Sequence, residues 1–121
     1  MKAIRLLNDA AGNSFFEIGT LPEYYKIETN YFDIQTKIEP YQQRQHTAPR
    51  YQYVITLKGK LEFTTSDGKQ FILEPGIILI AEDTFGKGHS WKIIEGESWE
   101  RIYIVPNQDA LDHFELDSNH I

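Results

Sequence analysis

An all-β fold, a single antiparallel β-barrel with a short C-terminal helix, is predicted by three features of the sequence. Short runs that are apolar or alternate in polarity recur along the chain. They are rich in Ile, Val, Thr, Phe and Tyr, which suit a pleated, half-buried surface. Residues that favour turns separate them at the spacing of a barrel or sandwich.

The runs in order are AIRLL, SFFEI, KIETNYFDIQTKI, QYVITL, KLEFTT, QFIL, IILIA, HSWKII and ERIYIV. Lys58-Gly59-Lys60 is expected to turn QYVITL into KLEFTT, and Ser66-Asp67-Gly68 to turn KLEFTT into QFIL. Glu74-Pro75-Gly76 follows, with Pro setting φ at the second turn position and Gly accepting positive φ at the third. Only PNQDALDHF, residues 106–114, reads as helix, with Asn107 or Asp109 as its cap. The last residues, ELDSNHI, read as a loose tail. The whole of 1–121 is taken as one domain: N-terminal strands over 1–40, the barrel over 41–105, and helix and tail over 106–121.

Composition narrows the function. Eighteen acids against twelve bases give a net charge of −6, which repels phosphate backbones and anionic lipid, so neither nucleic acid nor membrane is an expected partner. With no cysteine there are no disulfides or thiolate metal sites, and a cytoplasmic location is expected. The opening MKAIRLLNDAAG is too short an apolar run for a signal peptide or a membrane span. Aromatic runs near the N-terminus could pair across an edge, so a homodimer is expected.

The most unusual segment is EDTFGKGH, residues 82–89. A phosphate-cradling glycine loop needs a helix after it, whose N-terminal amides hold the anion. HSWKII follows instead, so Gly86-Lys87-Gly88 reads as a hinge that swings wide and delivers His89 to the interior. Trp91 and Ile93 share parity with His89 and are expected to line the same wall.

Residues 46 to about 105 resemble the cupin superfamily of small β-barrels (double-stranded β-helix or jelly roll). The family's first motif carries two histidines one residue apart, then a glutamate and a glycine. His46, Ala48, Gln52 and Gly59 fall on those positions. Pro75-Gly76 and His89 match the second motif, with Ile93 where its asparagine stands. The opening MxxIRL, HxAPRxQ over 46–52 and EDTxGKGH over 82–89 resemble a subgroup of short bacterial cupins. The resemblance implies a pocket inside the barrel. It also implies a divalent transition metal (Zn, Fe, Ni, Mn or Cu) on His46, His89 and Gln52, with Gln52 a neutral, weaker donor than glutamate.

On a regular strand His46 and Gln52 would lie roughly 20 Å apart, so a shared site requires a bend near Ala48-Pro49. Arg50, Gln52, Asp83, His89 and Trp91 are the candidate ligand-binding residues. An inward arginine is costly alone, so Arg50 is expected to pair with Asp83 or Glu82. Lys87 reads as a solvated loop residue, and His113 and His120 as surface residues. Two functions of different classes stay open: a metal-free or weakly metallated binding pocket for a small, neutral or anionic, organic molecule, and a metal-dependent enzyme of dioxygenase, isomerase or cyclase type.

Overall fold

Strand pairing dominates the computed structural model, which describes residues 1–117. The strands are β1 (Lys2–Asn8), β2 (Ser14–Thr20), β3 (Thr29–Gln35), β4 (Gln52–Thr65), β5 (Gln70–Leu73), β6 (Ile78–Ala81), β7 (His89–Pro106) and β8 (Glu115–Leu116). They form one sheet in the order β3-β7-β4-β6-β1-β2-β8, with β5 added to β4. The sheet curls into a half-barrel. The all-β expectation therefore holds, but the sheet is mixed rather than antiparallel. β1 runs parallel to β6, from Ala3 opposite Ile78 to Leu6 opposite Ala81. The reason is non-local: β6 gives one edge to β4 and leaves the other for an N-terminal strand that β2 pairs from outside. No helix among the described residues is long and apolar enough to cross a membrane.

Two strands are longer than the sequence suggests. Lys58-Gly59-Lys60 is not a hairpin turn, since β4 runs through it without a break in strand. HSWKII and ERIYIV are likewise one strand, β7. Both strands kink at the same level. Lys58 pairs with Glu100 but Lys60 with Glu95, so β7 bulges opposite Gly59. Gly59 has φ +120, and a Cβ there would sit 2.7 Å from the Ser98 carbonyl oxygen, which only glycine tolerates. This kink folds β7 so that the Trp91 and Trp99 rings meet edge-on at 4.8 Å. Ile4 and Leu6 of β1, Leu61 and Phe63 of β4 and Leu79 of β6 join both tryptophans in the main core. Each such side chain contributes roughly 1.5–3 kcal/mol by leaving water.

The expected helix over 106–114 does not form. Asp112 Oδ1 accepts the Phe114 amide, a local turn that competes with helical bonding, and His113 adopts φ +60. Leu111 is exposed, so the segment has no apolar stripe to bury. It is instead tied down by Asp112 accepting from the Tyr51 hydroxyl, and Glu115–Leu116 pair with β2 as β8 rather than trailing loose. His113 is exposed, as expected, and His120 lies outside the described residues. The one helix among the described residues is α1 (Pro40–Gln43), with Pro at its start.

Candidate functional site

The two sequence blocks meet through their backbones. His46 N donates to His89 O and His89 N donates to His46 O, each at 2.8 Å, and Ala48 N donates to Asp83 O at 3.0 Å. Gly88 makes this clasp feasible, because a Cβ there would lie 2.1 Å from the His46 carbonyl oxygen. Gly86 is packed in the same way against Gly12. The glycines thus serve close backbone approach rather than a wide swing. The required bend is present: residues 49–51 are bent, and β4 begins only at Gln52.

The clasp brings the His46 and His89 rings to 4.8 Å between centroids, tilted at 55°. His46 Nδ1 lies 2.8 Å from the Arg44 carbonyl oxygen. A carbonyl only accepts, so Nδ1 carries the proton and Nε2 keeps the lone pair. His89 Nδ1 lies 2.5 Å from Asp83 Oδ2, which also accepts from Ser14 Oγ at 2.7 Å. A carboxylate fixes the same tautomer on His89. Burial pushes the His46 pKa down, and the neighbouring His89 adds to this against the opposing pull of the Arg44 carbonyl and Asp83. His46 is therefore held neutral, with the Nε2 lone pair left to accept a hydrogen bond or a cation.

Both imidazoles line a cavity of about 240 Å³ inside the curl. Gln52, Phe63, Trp91 and Trp99 form its inner wall, and Gln35 of β3, Tyr41 and Gln42 of α1 and Tyr103 of β7 face them. Gln52 is 6% exposed, and its side-chain amide has no hydrogen-bond partner among the described residues. Ala48, where the resemblance places a second histidine, is a buried part of the same wall. A second, larger concavity of about 850 Å³ lies over Ile4, Phe16, Ile18 and Phe71, with no histidine in its lining.

Of the candidates, His46, His89, Gln52, Trp91 and Arg50 border the cavity and Asp83 does not. Asp83 is fully buried behind His89 and reaches the site only through that ring. Arg50 pairs with neither expected acid. It is exposed at the rim and donates to the Tyr31 hydroxyl, while Glu82 lies 3.7 Å from Arg5. Neighbouring residues in extended chain point to opposite sides, which sends Glu82 outward and Asp83 inward. Ile93 is partly buried against the interior core and does not reach the cavity lining. Lys87 is an exposed loop residue.

A buried cation that no sequence motif marks lies beside the cavity. Arg101 is fully buried, and its guanidinium lies over Trp99 at 4.5 Å. It donates to the Tyr103 hydroxyl, the Lys37 and Trp99 carbonyls, Gln35 Oε1 and Gln42 Oε1. All five acceptors are uncharged. The parity of Trp99, Arg101 and Tyr103 on one strand was the available signal. Ser14 gave none, because its partner Asp83 is 69 residues away.

A divalent ion would find two imidazole nitrogens here and the Gln52 oxygen as a neutral third donor. Among the described residues no group of three His, Cys, Asp or Glu side chains is placed to hold one. Asp83 Oδ2 is engaged by both His89 and Ser14. That donor set fits a weak, exchangeable ion, short of the three strong ligands of catalytic zinc centres. No protein-family profile, curated protein or solved structure matches the chain.

Proposed function

We propose that the chain is a single-domain, cupin-type protein whose barrel interior binds a small organic molecule. The observation that carries this reading is Gln52. Its amide lines the cavity with no hydrogen-bond partner among the described residues, and a ligand facing both histidines would supply those bonds. The meeting of HxAPRxQ and EDTxGKGH at one cavity supports the cupin assignment. His46 and His89 offer lone pairs to a hydroxyl or ammonium of the ligand, and Trp91, Trp99 and Phe63 pack its apolar part. Trp91 and Trp99 also report occupancy through their emission. Small molecules that shift it should lose affinity in Gln52→Leu and His89→Ala. Hits that bind both variants as tightly as the wild type would place the ligand elsewhere.

The second reading, a metal-dependent enzyme, is favoured by the two Nδ1 contacts, since metal-ligating histidines usually hold that second proton on a carbonyl or carboxylate. His46, His89 and Gln52 would hold the ion, which would supply Lewis-acid activation of a ligand oxygen. Elemental analysis of untagged protein separates the readings. The binding reading expects well under one ion per chain and a melting temperature indifferent to chelator. Near-stoichiometric metal that vanishes in His89→Ala would favour the enzyme.

A further inference from the structure

The groups around Arg101 give the cavity a second pole. An arginine only donates, so Gln35 and Gln42 must turn their amide oxygens towards it, and the Tyr103 oxygen must accept from its Nε–H. Gln42 Oε1 is further fixed by the Glu39 amide at 2.8 Å. With their acceptor atoms taken, these three cavity-lining side chains have only protons left to offer. Neither amide NH₂ group, nor the phenol proton, is used elsewhere among the described residues. Burial pushes the Tyr103 pKa up, against the opposing effect of Arg101, so the phenol keeps its proton.

The charges point the same way. Arg101 is a buried cation with no carboxylate in ion-pair reach among the described residues. Arg50 adds a second positive group at the rim, and Asp33 is the one carboxylate among the described residues that line the cavity. A single buried positive charge behind a wall of donors matches one negative charge that accepts several hydrogen bonds. The unpartnered Gln52 amide is independent evidence that something polar completes this space.

We propose that the cavity selects a small organic monocarboxylate, held by the amide N–H groups of Gln35 and Gln42 and the hydroxyl of Tyr103. This rests on the cavity being a binding site, and adds the chemical class of its ligand.

Matched acids and amides, benzoate with benzamide and butyrate with butyramide, test it by calorimetry. The acid of a pair is expected to bind at least tenfold more tightly than its amide. Gln42→Glu keeps an acceptor for Arg101 and for the Glu39 amide, but replaces the donor with an anion. It should lose at least tenfold in acid affinity, change amide binding little, and melt no lower than the wild type. Tyr103→Phe removes one donor and should weaken the acid severalfold, which serves if Gln42→Glu does not fold. Equal affinity for acid and amide, or acid binding unchanged in these variants, overturns the monocarboxylate assignment and leaves the pocket standing. If no member of either pair binds the wild type, the pocket reading falls with it.

Discussion

At the scale of single residues, the site is built from groups whose hydrogen bonding is left deliberately incomplete on one side. Gln52 shows the consequence for stability. In Gln52→Leu the unpartnered amide is replaced by an apolar group of similar size, so the ligand-free protein should gain up to about 1 kcal/mol while its ligand affinity falls. Urea unfolding with and without ligand measures both. His46 gives the pH dependence. Its folded pKa is depressed, so on acidification the unfolded chain takes up the proton first. Its contribution is complete above the unfolded value near 6.5 and is lost as pH falls towards the lower folded value. The melting temperature should therefore drop more between pH 7 and pH 5 in the wild type than in His46→Gln. Equal drops would show that His46 does not titrate as its burial implies. Of these residues, the two histidines and Gln52 were legible because they fall in short motifs. Arg101, Gln35 and Gln42 were not, because what matters is their mutual contact across 59 to 66 positions.

At the scale of elements, the close contact at Gly88 decides whether the two blocks clasp. Gly88→Ala must tolerate φ +78 and a Cβ against the His46 carbonyl. The backbone strain alone costs about 1–2 kcal/mol, and the clash should part the rings. The variant should melt lower and show altered His46 and His89 imidazole resonances in NMR spectra, whereas unchanged spectra would mean the clasp is not set by glycine. The positions of β1 to β7 were readable, since alternation and β-branched content are local signals, whereas the two-residue β8 was too short to show one. Strand continuity was not. Gly59 looks the same in sequence whether it turns a hairpin or lets a kinked strand pass close to its neighbour, and only the approach of Ser98 distinguishes them. The false helix over 106–114 failed for a similar reason, because Asp112 spends its side chain on a turn.

At the scale of the whole molecule, the kink shared by β4 and β7 makes an interior that holds both a core and a cavity. His89 stands on one arm of β7 and Arg101 on the other. The cavity depends on β1 as well, since Ile4 and Leu6 belong to the same cluster as Trp91 and Trp99. Ile4 is 1% exposed, and Ile4→Ala should cost about 2–5 kcal/mol by chemical denaturation. A loss below about 1 kcal/mol would mean that the sheet closes without it. The parallel pairing of β1 with β6 has a further consequence, for synthesis. β1 is an interior strand of the finished sheet, yet the segment that flanks it in parallel leaves the ribosome some seventy residues after it. Until then it has only its hairpin partner β2, and a lone two-stranded hairpin is marginal in water. The nascent chain therefore carries an open, apolar edge for several seconds at typical elongation rates.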